Sequence, residues 1–273
     1  MRSATRGELP SRGRTAEIFA WSDSQVVKLF FDWCPPEWIQ REVQAGRRLA
    51  FTSLPTPRLI GTVSLDGRHG IIFRPCRRAL NAESPKDKAL APVAHGARFA
   101  ELHSAIHENA GADLPPLRPY LHTSITNANA LPSGLKDHAL SLLASLPDGE
   151  ALCHFDFHPD QVAITYQGPM ILDWMTAHRG DRLADIARTS VLIRFAQVPF
   201  ANWLMLTATN MVRRVFYDRY IRHYIRLHPE ITRGNLQRWM VPVASARIGD
   251  DVPGEQDKIL AFLTASLEQP MAV

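Results

Sequence analysis

Residues 151–176 read Ala-Leu-Cys-His-Phe-Asp-Phe-His-Pro-Asp-Gln-Val-Ala-Ile-Thr-Tyr-Gln-Gly-Pro-Met-Ile-Leu-Asp-Trp-Met-Thr. Two short apolar runs, Val162–Ile164 and Met170–Leu172, flank Gln167-Gly168-Pro169. Glycine and proline punctuate a chain as a turn, so the stretch reads as a tight hairpin of two strands. The acids fall at its two ends. Asp156 sits in a His-x-Asp segment just before the first strand, and Asp173 follows the second. A hairpin returns its far end beside its start, which carries Asp173 back toward the loop of Asp156. Gln161 lies between that loop and the first strand and adds an amide. Cys153 directly precedes His154; neighbours on a strand point to opposite faces, so the pair does not read as a nucleophile with its base. Cys153 reads as a small buried strand residue.

Outward from this hairpin the chain divides by pattern. Residues 1–13 are small, polar and basic and read as a flexible terminus. Ile18-Phe19-Ala20 and Val26–Phe31 flank Ser22-Asp23-Ser24 and read as a hairpin. Pro35-Pro36 then opens a helix, where proline is at home in the first turn, and Trp38, Ile39, Val43 and Leu49 continue it to about Phe51. Leu59–Leu65 and Gly70–Phe73, around Asp66-Gly67, read as two more strands. Residues 14–76 are thus expected to form a β-rich unit with one inserted helix. Residues 77–90 read as a polar connector, and residues 91–273 as a mainly helical part. Its helices are expected over Val93–Ile106, Leu135–Leu146, Val191–Tyr224 (one or two) and Ile259–Leu267. The fold class is α+β. Trp203, Phe216, Tyr217, Tyr220 and Tyr224 recur at helical spacing and read as packing residues, with Arg213, Arg214, Arg219 and Arg222 as a solvated face.

Composition removes several classes of function. The chain has 273 residues, 45% apolar and 21% charged, enough to bury a core and too apolar for global disorder. The net charge of +4 is mild and its arginines are scattered, so no nucleic-acid partner is expected. Three cysteines without a CxxC pair argue against a disulfide scaffold. No apolar run is long enough to span a membrane, and none follows the first arginines as a secretory signal would require. A cytoplasmic protein with no membrane partner, monomeric or homodimeric, is the expectation.

Phosphoryl transfer from ATP needs little covalent help from a protein. It needs a carboxylate near the acceptor hydroxyl, oxygen ligands for Mg²⁺ and a cation on the phosphates. Protein kinases place the first two in a His-Arg-Asp-x-x-x-x-Asn loop followed, a hairpin later, by a metal-holding Asp. The spacing of Asp156, Gln161 and Asp173 matches that pattern. Mg²⁺ is a hard cation, and a carboxylate with an amide carbonyl suits it.

His154-Phe155-Asp156-Phe157-His158-Pro159-Asp160-Gln161, followed by Ile171-Leu172-Asp173-Trp174, resembles the aminoglycoside phosphotransferase and choline-kinase-like family. The family's usual wording is H-G-D-x-H-P-x-N, then I-D-W. Gly180-Asp181-Arg182-Leu183-Ala184-Asp185-Ile186-Ala187 resembles its next segment, G-D-P-x-x-D-L-A, and Glu101-Leu102-His103 its preceding helix. The resemblance covers nearly the whole chain from Arg14. It implies a two-lobed protein-kinase-like fold, with a small β-rich N-lobe, a larger helical C-lobe and ATP between them. It implies a small-molecule kinase acting on a hydroxyl of an aminoglycoside-type antibiotic, a sugar or an amino alcohol, hence antibiotic resistance as one role.

By the same resemblance Asp156 orients or deprotonates the acceptor hydroxyl, and Asp173 with Gln161 holds Mg²⁺. Lys28 grips the α and β phosphates of ATP and is set by Glu42. Phe73, Arg74 and Cys76 belong to the hinge beside adenine, which acts mainly through backbone groups. His154 and Asp185 support the catalytic loop from below. Lys28 also stands out by itself, since a lysine inside an apolar strand needs a cleft for its ammonium.

Three departures from the family wording carry consequences. Gln161 replaces asparagine, and its extra methylene moves the carbonyl by about 1.5 Å. Phe155 replaces glycine and adds bulk beside the loop. Ser22-Asp23-Ser24 has no glycine for a phosphate-covering turn. A degenerate, non-catalytic nucleotide-binding relative is therefore the alternative reading. A third takes His154, Asp156, His158 and Asp173, with His103 and His107 one helical turn apart, as zinc or manganese ligands of a hydrolase. No glutamate follows His103, so the zinc-protease pattern fails, and this reading leaves Lys28 and Glu42 without a role.

Overall fold

The computed structural model describes residues 11–22, 24–74, 85–165, 168–196, 203–252 and 254–268. The chain divides into two compact units, residues 1–82 with 160–177, and residues 83–159 with 178–273.

The first unit is built on an antiparallel sheet of β1 (Ser11–Arg12), β2 (Ala16–Ser22), β3 (Gln25–Phe30), β4 (Leu59–Leu65) and β5 (Arg68–Phe73), in the order β1-β2-β3-β5-β4. Alternation along β3 explains its place at the centre. Val27 and Leu29 are buried on one face with Phe19, while Phe30 turns to the other with Ala16 and Ile71. Helix α1 (Pro36–Leu49) covers that second face. Its buried residues Ile39, Glu42, Ala45 and Leu49 fall three or four apart, with Gly46 beside Ala45, one stripe of a 3.6-residue period, and a glutamate stands inside the stripe.

The second unit is helical. It holds α2 (Pro85–His107), α3 (Leu117–Asn127), α4 (Ser133–Ser145), α5 (Arg182–Phe195), α6 (Trp203–Leu227), α7 (Arg233–Ile248) and α8 (Gln256–Glu268). A two-stranded pair, β6 (Ala151–Cys153) and β9 (His178–Gly180), completes it. α2 packs along α6; α5 packs on α7, which also meets α3, α4 and α8. α5 is buried along nearly its whole length, as a central helix must be. The chain before β6 closes against the start of α5 at Gly149, where a Cβ would fall 2.5 Å from the Cα of Asp181. Among the described residues no helix is long and apolar enough to cross a membrane.

The hairpin between these strands, β7 (Val162–Thr165) and β8 (Gly168–Ile171), packs with the first unit instead. The sequence pattern places residues 91–273, this hairpin among them, in one mainly helical part. Packing accounts for the difference: Met175 joins the apolar cluster of Ala16, Phe30, Cys34, Ile39 and Ile71, and the amide of Ile171 donates to the Pro55 carbonyl at 2.7 Å.

Three further differences from the sequence reading concern helices. α2 begins at Pro85, inside the expected connector, and α5 begins at Arg182 rather than near Val191. α3 and α7 are absent from the expected set. The connector's remainder, residues 77–84, lies outside the described residues.

Candidate functional site

In the first unit, the odd lysine of β3 has two acidic partners. Lys28 lies opposite Ile18 and Ile71 in the sheet, on the face that α1 covers. Its Nζ donates to Glu42 Oε1 at 2.9 Å and Oε2 at 2.8 Å, and to Asp173 Oδ1 at 2.8 Å. Three elements meet there for separate reasons. β3 supplies the ammonium by alternation, α1 supplies Glu42 from its buried stripe, and the segment after β8 supplies Asp173 because Met175 anchors it to the same cluster. Asp173 takes φ 58°, a left-handed conformation that aspartate tolerates better than bulkier residues.

Burial disfavours the Lys28 ammonium, but Glu42 and Asp173 outweigh it and lift its pKa above the ordinary value. Burial raises the Glu42 pKa, with Lys28 opposing. Side-chain exposure is 13% for Lys28, 5% for Glu42 and 32% for Asp173, so the aspartate is the member of the group that faces solvent. Gln161 is placed by the hairpin. Val162 pairs with Ile171, and the Gln161 carbonyl accepts from the Leu172 amide at 2.8 Å, so Gln161 and Asp173 flank one end of the same ladder. The donor set at that end is a carboxylate and an amide, hard oxygen donors of the kind Mg²⁺ takes.

In the second unit, α5 carries the loop that follows β6. Asp181 caps the helix by accepting from the Leu183 amide at 2.7 Å, which leaves Asp185 to another task. The Asp185 carboxylate accepts the amides of His154 at 2.6 Å and Phe155 at 2.9 Å. One turn on, Thr189 Oγ1 donates to the Phe157 carbonyl at 2.8 Å. The loop thus hangs from one face of α5. His154 is fully buried, and its Nδ1 accepts the Asp156 amide at 3.3 Å. Asp156 presents its carboxylate beside His158, with Nε2 to Oδ2 at 3.7 Å. Burial raises the Asp156 pKa, but His158 and Arg188 reverse this and hold it below the ordinary value.

Phe155 has φ 60°, where a side chain costs about 1 kcal/mol and glycine nothing. That backbone shape is the physical reason a glycine would suit the position. The added ring does not crowd the loop's exposed side. It is buried, edge-on to Tyr120 and His178 with centroids at 5.7 and 5.9 Å.

Beneath the loop, the Nε2 atoms of His103 and His107 each lie 3.2 Å from Asp185 Oδ2. Their Nδ1 atoms meet the hydroxyls of Tyr220 and Tyr224 at 2.7 Å. His107 Nε2 hydrogen-bonds Asp185 Oδ2, and an ionised carboxylate only accepts, so that Nε2 carries the proton, Nδ1 accepts from Tyr224 and the imidazole is neutral. His103 Nε2, at the same distance, is buried with no hydrogen-bond partner among the described residues. Burial lowers the pKa of His103, and it lowers that of His107 to about 4. The Asp185 carboxyl is held well below its ordinary value, the two histidines outweighing the effect of burial.

The ligating atoms of these three residues lie within 4.8 Å of one another, and among the described residues His154, Asp156 and His158 form no such group. The hydrolase reading therefore loses the ligands it began from. The hydrogen bonds of His107 to Tyr224 and Asp185, and of His103 to Tyr220, read as packing contacts beneath the loop.

This network fixes a pH dependence. The unfolded chain takes up a proton on His107 near pH 6.5, the folded chain only near 4, so folding stability falls as pH drops between those values. The expected loss between pH 7 and 5 is about 2 kcal/mol from His107. Urea denaturation at both pH values checks it. His107→Gln should flatten the slope, and an unchanged slope in that variant would contradict the assignment.

The remaining expected residues are placed as follows. Phe73 ends β5 opposite Val26 and packs against the cluster around Ile39; the Arg74 amide donates to the Arg58 carbonyl at 2.9 Å. Cys76 lies outside the described residues. Tyr220, Tyr224 and Phe216 are buried, as a packing stripe requires, and Arg214, Arg219 and Arg222 are exposed. Sequence reasoning missed Thr189 and Arg188. They stand four and three residues after Asp185 on one face of a helix, a relation visible only once Arg182–Phe195 is known to be helical.

The profile of the phosphotransferase enzyme family (APH) matches residues 13–230. No curated protein sequence matches the chain. Among solved structures, it is similar to a thermostable mutant of aminoglycoside phosphotransferase APH(4)-Ia in ternary complex with AMP-PNP and hygromycin B. The identity is 16% and the TM-score 0.61, over 95% of this chain and 90% of that one. It is similar to amicoumacin kinase hAmiN in complex with AMP-PNP, Ca²⁺ and Ami, at 13% identity and TM-score 0.59, over 96% and 88%. It is also similar to aminoglycoside-3'-phosphotransferase of type VIII, at 17% identity and TM-score 0.58, over 88% and 91%. At such identities the likeness carries the fold, which is the two-lobed protein-kinase-like one with a small β-rich part and a larger helical part.

Proposed function

Because the chain belongs to the phosphotransferase enzyme family, we propose that it moves the γ-phosphoryl group of ATP to a hydroxyl of a small molecule. The observation that supports this most is the ammonium of Lys28 gripped by Glu42 and Asp173 at 2.8–2.9 Å. A buried lysine held by two carboxylates costs more than an apolar residue would, and phosphate binding gives it a purpose. Lys28 binds the α and β phosphates, and Glu42 sets its position. Asp173 and Gln161 hold Mg²⁺, which when bound offsets charge on the phosphate oxygens. Asp156 accepts a hydrogen bond from the acceptor hydroxyl, orients it and receives its proton. A carboxyl held below its ordinary pKa is ionised at neutral pH, as that role requires. Phe73 and Arg74 lie beside adenine, and His154 and Asp185 shape the loop.

The acceptor classes in this reading, aminoglycoside-type antibiotics, other antibiotics, sugars and amino alcohols, are supported by the family and by neighbours in complex with hygromycin B or with Ami. An ATP-consumption screen over that panel, with Mg²⁺, tests the reading. Turnover on at least one acceptor is expected. Measurable nucleotide affinity with no turnover on any would overturn it in favour of a non-catalytic nucleotide-binding relative. Gln161→Asn is expected to keep or raise turnover, since it retains the amide. A tenfold loss by steady-state assay would mean the longer side chain is fitted to its own geometry.

A further inference from the structure

We propose that Arg188 is a positioning residue for the catalytic loop, its buried guanidinium holding Phe155 in place and giving Asp156 a fixed positive charge to face. This rests on the reading of Asp156 given above. Arg188 stands on α5, three residues beyond Asp185, and is 6% exposed. Its Cζ lies 5.4 Å from the centroid of the Phe155 ring, a cation–π distance, and Phe155 is the residue held at φ 60° next to Asp156. On its other side, Nη2 donates to Asp250 Oδ2 at 2.7 Å, and Asp250 also accepts from Arg247 at 3.1 Å.

The cost of this arrangement is the argument for a role. The Nε of Arg188 is buried with no hydrogen-bond partner among the described residues. A buried ion pair adds little stability over apolar residues of the same size, and an unsatisfied donor detracts from it. Packing alone therefore favours a methionine or leucine at position 188. What a methionine lacks is charge beside a carboxylate that must stay ionised while a substrate hydroxyl gives up its proton. Among the described residues, the charged and titratable groups that act on Asp156 include His158 and His154 on its own loop and Arg188 on α5, with Asp250 behind Arg188. Of these Arg188 is the permanent cation.

The test reads Asp156 directly and needs no acceptor. Carbon-13 NMR of aspartate-labelled protein follows the carboxyl titrations, with the Asp156 signal assigned by its loss in Asp156→Asn. In Arg188→Met the Asp156 midpoint should move to higher pH, and in Arg188→Lys it should stay close to that of the unaltered protein. With an acceptor in hand, Arg188→Met should lower kcat at pH 7 about tenfold, shift its acid limb upward and leave KM for ATP within about twofold. Should the methionine variant fail to fold, Arg188→Gln takes its place. An Asp156 midpoint that ignores the loss of charge would overturn the proposal, whatever happens to turnover. A midpoint that moves in a protein with no turnover on any acceptor supports the coupling and counts against the phosphotransferase reading instead.

Discussion

Asp156→Asn is expected to lower phosphoryl transfer about 10³-fold or more while nucleotide affinity stays within about twofold. The substitution keeps size and shape, so the loop should hold. Its supports are the backbone amides of His154 and Phe155 on Asp185 and the Phe157 carbonyl on Thr189, none of which involves the Asp156 side chain. What is lost is a carboxylate able to orient the hydroxyl and accept its proton. A 10³-fold loss corresponds to about 4 kcal/mol of transition-state stabilisation. Steady-state turnover with the best acceptor of the panel, beside calorimetric titration with ATP and Mg²⁺, separates the two effects. Retained turnover would remove Asp156 from the chemistry. Lost affinity would place it in nucleotide binding instead.

Asp173→Asn is expected to act on the nucleotide side. Asp173 is the exposed member of the Lys28 group, and it flanks the same hairpin end as Gln161. Removing its charge leaves Lys28 with Glu42, so the ammonium keeps a partner and the fold little reason to change. Thermal stability should fall by no more than about 1 kcal/mol, as for a partly exposed ion pair. Turnover should fall about 10²- to 10³-fold. ATP affinity should lose its dependence on Mg²⁺, which titration with and without the metal reads directly. An Asp173→Asn protein whose ATP affinity still rises with Mg²⁺ would show that the metal is held elsewhere.

β2 to β5 were legible as short apolar runs bounded by turn residues, and α1 as a stripe because it packs on a sheet. Lys28 was visible as the residue that breaks such a pattern, and Glu42 followed from the resemblance. α5 was not recognised as a helix over its first turns because it is buried all round and has no stripe to read. α7 is also buried on most sides and carries Pro242, a residue that reads as a helix breaker. Missing the start of α5 had a further effect. Asp185, Arg188 and Thr189 share a face only once Arg182–Phe195 is known to be helical, so the loop's supports beyond Asp185 stayed hidden. The left-handed backbone of Phe155 was hidden for another reason: a phenylalanine gives no local sign of positive φ, whereas a glycine would have.

The role of Asp156 and the Lys28 group in phosphoryl transfer is tested most directly by following the phosphoryl group itself. ATP labelled in its γ-phosphate is incubated with Mg²⁺, the acceptor panel and either the unaltered protein or Asp156→Asn, and the acceptors are analysed by mass spectrometry. The account predicts labelled phosphate on an acceptor hydroxyl with the unaltered protein and about 10³-fold less with the variant. Equal labelling by both proteins, or labelled phosphate released to water with none on any acceptor, would contradict it.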